Sequence, residues 1–151
     1  MATFNVTALT PLDCVNAAQL HQQSFFKGWE RAVFHEFLRT PLTFGLKIED
    51  DGALVAYLMW REILDEAEIL TLVVAPSSRQ KGHGSTLLTT LFKILKDKGI
   101  TQLFIEVAED NEAAISFYTN HGFIFMGKRP HYYLREGNIY ISALNFFKDI
   151  V

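Results

Sequence analysis

Cysteine occurs once in the 151 residues, at position 14. A lone thiol excludes an internal disulfide framework and fits a reducing, cytoplasmic setting. Excess positive charge is also missing: 14 Lys and Arg stand against 17 Asp and Glu, for a net charge of −3. A general nucleic-acid surface needs a basic face, so none is expected. No apolar run reaches the 18 or so residues that a membrane-spanning helix wants. Met1-Ala2-Thr3 lacks the basic start and apolar segment of a secretory leader. The expectation is a soluble cytoplasmic protein without a membrane partner. The five histidines show neither His-Glu-x-x-His nor Cys/His spacing, so no metal is expected. No Gly-x-Ser-x-Gly elbow occurs either, so no covalent nucleophile is recognisable.

What the chain does have is an ordinary globular balance, 49% hydrophobic and 21% charged, in a length that suits one domain over residues 1–151. Thirteen phenylalanines fall mostly at periodic positions, which reads as core. Residues 3–9 alternate loosely as an edge strand. Thr10 and Pro11 open a helix whose apolar face is Leu12, Val15, Ala18 and Gln19. Trp29, Val33, Phe34, Phe37 and Leu38 give a second, more amphipathic helix that stops before Pro41. Strands over 43–49 and 53–61 flank Asp50-Asp51-Gly52, a hairpin signal. A buried strand over 103–107, a helix over 111–121 ended by Gly122, and strands over 123–128 and 138–147 complete the order β-α-α-β-β-β-α-β-α-β-β. No repeat or linker interrupts it. The fold class is α+β, with a mixed sheet and helices on both faces.

The most informative stretch is 69–95. The apolar run Ile69-Leu70-Thr71-Leu72-Val73-Val74 reads as a strand buried on both faces. Arg79-Gln80-Lys81-Gly82-His83-Gly84-Ser85 follows, and then Leu87, Leu88, Leu91, Phe92 and Leu95 recur at helical spacing. Gly99 stops that helix. A strand, a basic glycine turn and a helix start make an anion site, because first-turn N–H groups and the positive dipole end point outward together. Gly82 and Gly84 are expected to let ligand oxygens approach the main chain. The turn is no P-loop, and Leu87 stands where a dinucleotide fingerprint needs its third glycine. Arg79-x-x-Gly82-x-Gly84 instead resembles the acetyl-CoA pyrophosphate loop of the GNAT N-acetyltransferases.

Acetyl transfer from a thioester to an amine needs a proton acceptor, a donor to the oxyanion and an acid for the thiolate. Glu106 lies inside the apolar strand Phe104-Ile105-Glu106-Val107. It is either a residue alternating out to solvent or a buried base whose pKa burial raises. Tyr118, twelve positions on, is either a core tyrosine beside Phe117 or a proton donor.

Residues 103–123, LFIEVAEDNEAAISFYTNHGF, with Arg129, His131-Tyr132-Tyr133 and Gly137-Asn138 beyond them, resemble the C-terminal half of RimI-type acetyltransferases. Trp29 and Glu66-Ala67-Glu68-Ile69-Leu70 extend the resemblance over nearly the whole chain. It implies a three-layer α/β/α GNAT domain whose mixed, mostly antiparallel sheet of six or seven strands splays between two central strands. It implies Glu106 as proton acceptor and Tyr118 as proton donor. For the coenzyme it implies Leu72, Val73 and Val74 along the pantetheine arm, and Gln80, Lys81, Gly82, His83, Gly84 and Ser85 around the pyrophosphate. Asn111 is implied where the strands part. Acetyl-CoA is then the co-substrate, and the partner is a protein N-terminus, as on a ribosomal protein. Small amines such as polyamines or aminoglycosides, or a non-catalytic acyl-CoA-binding role, stay open. Ala108 stands where the family usually has arginine and Thr71-Leu72 replaces its usual asparagine. The tail Ile139-Tyr140-Ile141-Ser142-Ala143-Leu144 lacks the family's acidic residue and methionine. These departures bear on the acceptor more than on the donor. His131, Tyr132 and Tyr133 are candidates to line an acceptor pocket, and Glu62, Asp65, Glu66 and Glu68 to attract a basic peptide.

Overall fold

The computed structural model describes residues 4–151, so Thr3, expected at the start of the first strand, lies outside them. The elements follow the expected order: β1 (Val6–Ala8), α1 (Cys14–Ser24), α2 (Arg31–Arg39), β2 (Thr43–Asp50), β3 (Ala53–Ile63), β4 (Glu66–Val74), α3 (His83–Asp97), β5 (Gln102–Ala108), α4 (Glu112–Asn120), β6 (Ile124–Arg135) and β7 (Ile139–Asp149). The strands form one seven-stranded sheet among the described residues, ordered β1-β2-β3-β4-β5-β7-β6. Neighbours are antiparallel except β4 and β5. Among the described residues no helix is long and apolar enough to cross a membrane.

Local chemistry sets several boundaries. Asp51 and Gly52 turn β2 into β3 with φ of 52° and 80°, the left-handed pair that a two-residue primed hairpin turn requires. A short 3-10 turn over Pro11–Asp13 precedes α1, with Thr10 and Asp13 capping one another. That turn changes which face of α1 is buried. Cys14, Ala17, Ala18 and His21 are inside, whereas Leu12 is 95% and Val15 50% exposed. The Asp13 carboxylate turns inward onto Lys47 at 2.9 Å, which rotates Leu12 outward. The expected apolar face of this helix was therefore misplaced by about a residue.

β4 is packed on both faces, as its composition predicts, with buried and half-buried residues alternating along it. Trp60 of β3 pairs with Ile69 while its neighbour Met59 pairs with Thr71, so Leu70 is an extra, bulged residue. The bulge reverses the strand's phase. Ile69 packs into the larger core with α3, while Val73 packs into the second core with α1 and α2.

The parallel pairing of β4 with β5 is brief. It runs from Glu66↔Gln102 to Glu68↔Phe104 and stops, although the strands continue to Val74 and Ala108. The expected splay between the two central strands is this wedge. Beneath it, α3 buries Leu87, Leu88, Leu91 and Leu95, each contributing about 1.5–3 kcal/mol. β6 runs seven residues past its expected end, because its pairing resumes after a break between Arg129 and Tyr133.

Candidate active site

The glycine turn closes over the start of α3. Gln80 and Gly82 are left-handed, with φ of 64° and 82°. The first helical bond runs from the Thr86 N–H to Gly82 O at 3.0 Å. The N–H groups of His83, Gly84 and Ser85 precede it and have no partner within the helix. A Cβ at Gly82 would meet nothing within 4 Å, so that position demands glycine for its φ alone. At Gly84 a Cβ would point away from the turn's outer surface, to 3.2 and 3.3 Å from the Phe117 ring. Gly84 therefore also serves the close packing of α3 on α4.

His83 offers only main chain to a ligand. Its ring is 1% exposed, edge-on to Phe4 at 4.3 Å, and neither nitrogen has a hydrogen-bond partner. Burial, then the positive charge of Lys81, push its pKa down. Gln80 and Lys81 are exposed and Ser85 is half-buried. The Ser85 hydroxyl lies 3.0 Å from His121 Nε2, and His121 Nδ1 lies 2.8 Å from the Phe117 carbonyl. Because a carbonyl only accepts, Nδ1 carries a proton. No sequence motif marks His121 or the link that it makes between α3 and α4.

Leu72, Val73 and Val74 lie along the wedge. They pair with β3 on one side and have no ladder partner toward β5, leaving backbone groups for another amide-bearing chain. Asn111 caps α4, its Oδ1 accepting from the Ala114 N–H at 3.1 Å.

Leu103, Ile105 and Val107 enter the core that holds Tyr118. By strand alternation Glu106 points to the opposite face, the one that α1 and α2 cover. Glu106 and Tyr118 thus start from opposite sides of the sheet. The Glu106 side chain is 22% exposed, with Arg129 Nε 3.5 Å from Oε2, too long for a strong charged hydrogen bond. Tyr133 is pushed up to about 12 by burial first and the Glu106 charge second. Tyr118 is buried between Phe117 and Phe123 at 5.2 and 5.3 Å, and burial raises its pKa well above the usual phenol value. It is a phenol at neutral pH.

The remaining candidates separate. Tyr132 is exposed beneath Arg129, 4.5 Å from its guanidinium, whereas Tyr133 is half-buried beside Glu106's charge. His131 is exposed at the break in β6, with φ 52°. The acidic cluster is partly neutralised within the chain: Lys98 holds Glu62 at 2.8 Å and Arg61 holds Glu68 at 3.2 Å. Glu66 and Glu68 also lie on the closed end of the wedge. Cys14 is buried and burial raises its thiol pKa, which makes it a poor nucleophile. Among the described residues no three His, Cys, Asp or Glu side chains are grouped to hold a metal ion.

The profile described as the acetyltransferase (GNAT) family matches residues 15–123. The [ribosomal protein bS18]-alanine N-acetyltransferase of Salmonella typhimurium is 29% identical over 128 residues, covering 85% of this chain and 86% of that protein. The crystal structure of the ribosomal-protein-S18-alanine N-acetyltransferase from Escherichia coli shares the fold, with a TM-score of 0.90 at 24% identity over 98% of this chain and 94% of that one. Arabidopsis thaliana NAA60 in complex with acetyl-CoA also shares it, with a TM-score of 0.86 at 18% identity over 98% and 99% of the chains.

Proposed function

This chain belongs to the GNAT acetyltransferase family and is an acetyl-CoA-dependent N-acetyltransferase, and on that footing we propose that it acetylates the N-terminal α-amine of a protein, such as a ribosomal protein, in the cytoplasm. The observation that carries the mechanism is the parting of β4 from β5 beyond Glu68 and Phe104.

In this reading the amides of residues 80–85 hold the diphosphate, and Leu72, Val73 and Val74 pair with the pantetheine arm. Asn111 steadies that arm at the wedge. An α-amine with a pKa of roughly 8 is largely protonated at neutral pH and must lose that proton before it attacks. Glu106, open to solvent and only loosely engaged by Arg129, accepts it directly or through water. As the C–N bond forms, the carbonyl electron pair moves onto oxygen beside a main-chain N–H near Val74. Collapse expels the CoA thiolate, which takes the Tyr118 proton, while the second proton on the nitrogen leaves to water and solvent restores the phenol. Burial keeps that phenol protonated until the thiolate forms.

A protein acceptor is favoured by the exposure of Arg129 and Tyr132 next to Glu106, which leaves that side open, and by the ribosomal-protein N-acetyltransferase activity of the Salmonella relative. Thiol release from acetyl-CoA is to be measured with an alanine-starting basic peptide, a lysine peptide blocked at its N-terminus, and spermidine. The first should be preferred. Preference for spermidine would move the acceptor to small amines, and no release with any of the three would leave an acyl-CoA-binding module. Tyr118→Phe should lower kcat on the order of 10²-fold with acetyl-CoA affinity nearly unchanged. Unimpaired turnover would remove Tyr118 from the acid role.

A further inference from the structure

His21 is buried at 5% exposure on the face of the sheet toward which Glu106 points. Its Nδ1 accepts the Trp29 N–H at 2.9 Å. A ring nitrogen that accepts carries no proton, so the proton of the neutral ring is on Nε2. Nε2 lies 3.2 Å from Thr71 Oγ1 and donates to it. The imidazole also stacks on the Trp29 indole, with centroids 4.6 Å apart and planes 12° off parallel. Gln22 Nε2 donates to the Trp29 carbonyl at 3.3 Å. At Gly28 a Cβ would come within 2.5 Å of the His21 carbonyl. Residues 25–30, the connector from α1 to α2, are therefore folded tightly back on the end of α1. They present Phe25 and Phe26 to solvent at 38% and 46% exposure.

The other end of this chain of bonds is equally placed. Thr71 directly follows the bulged Leu70, and Leu72, Val73 and Val74 come next. One imidazole joins the connector to the head of the strand that borders the wedge.

We infer that His21 is a positioning residue for the acceptor: it locks the aromatic connector of residues 25–30 to the β4 bulge, fixing the rim past which the amine approaches Glu106. It touches neither the coenzyme turn nor the reacting atoms. This rests on the reading above that the amine enters on the Glu106 face.

His21→Phe keeps a ring on Trp29 but removes the acceptor for its N–H and the donor to Thr71. His21→Asn keeps an acceptor near the Nδ1 position. Deuterium exchange in His21→Phe should speed about tenfold at residues 25–30 and stay unchanged at 80–85, the size expected for one lost hydrogen bond. KM for the preferred acceptor should rise about tenfold, with kcat and the acetyl-CoA Kd within about twofold. His21→Asn should recover most of the exchange protection. Thr71→Val should reproduce part of the KM shift without adding to that of His21→Phe, and it serves should His21→Phe fail to fold. Unchanged exchange at 25–30 overturns the inference. So does an acetyl-CoA Kd that moves by the same factor as the acceptor KM. A native protein that releases thiol with no acceptor refutes the proposed function instead, and the exchange pattern alone then decides whether His21 locks the connector.

Discussion

The two faces of the sheet are held by different forces. Among the described residues, the core under α3 and α4 contains 20 buried side chains, nearly all aliphatic or aromatic hydrocarbon. Under α1 and α2 it contains only 8, and directional bonds supplement it: Tyr57 donates to the Ala17 carbonyl at 2.7 Å, His21 bridges Trp29 and Thr71, and Lys47 meets Asp13. Packing is non-directional and spread over many contacts, whereas a hydrogen-bond chain fixes one geometry and fails when one member is lost. The face that carries the glycine turn is thus built as a stiff platform. The face toward which Glu106 points is built so that a few side chains set its shape.

Leu91→Ala tests the platform and should have the largest effect. Leu91 is fully buried between α3 and the sheet, so truncation removes its transfer energy and leaves a cavity, about 2–5 kcal/mol together. Urea unfolding should show the drop in midpoint with little change in slope. A loss below about 1 kcal/mol would mean that α3 is not held by packing, and the contrast between the faces would fail.

The same contrast explains what could be read in the sequence. On the α3 side, periodic leucines, the glycines at 82 and 99 and the Asp51-Gly52 turn carry strong local signals, and those elements fall where expected. The bulge at Leu70 leaves no mark, because a continuous apolar run looks the same with or without a phase reversal. The wedge is equally hidden from spacing, since it depends on where two strands remote in sequence cease to pair; only the family resemblance anticipated it. On α1 the buried stripe includes Cys14 and His21, which a search for apolar residues passes over in favour of exposed Leu12 and Val15. β6 passes its expected end at Lys128 because pairing resumes beyond the break at His131, a non-local event that spacing does not carry.

Acidification should weaken the α1 side selectively. Burial lowers the His21 pKa to about 4 from 6.5, and its neighbours Thr71, Trp29, Phe25 and Phe34 carry no charge. The unfolded chain therefore binds the extra proton first. The stabilisation is complete above about pH 6.5 and is lost as pH falls toward 4, at most about 3 kcal/mol for a shift of this size. Urea midpoints at pH 7 and 4.5 should differ more in the native protein than in His21→Asn. His83, also lowered, remains in both and so cancels from the comparison. Equal pH dependence in the two proteins would show that the His21 ring accepts a proton without cost in the fold.

The smallest effects belong to the glycine turn proposed to hold the diphosphate, where two glycines two positions apart should behave differently. Alanine at Gly82 meets no atom but must hold φ at +82°, which costs about 1–2 kcal/mol. The turn relaxes instead, and acetyl-CoA should bind about tenfold more weakly by calorimetry. Alanine at Gly84 has ordinary backbone angles, and its Cβ presses on the Phe117 ring at 3.2 Å. A ring edge that yields a few tenths of an ångström leaves affinity within about threefold, or under 1 kcal/mol. Only larger side chains at Gly84 would push Phe117 far enough to disturb the Ser85 to His121 bond. If alanine at 84 harmed binding more than alanine at 82, the ligand itself would be what crowds that position, and the main chain there would lie closer to the diphosphate than its packing against α4 implies.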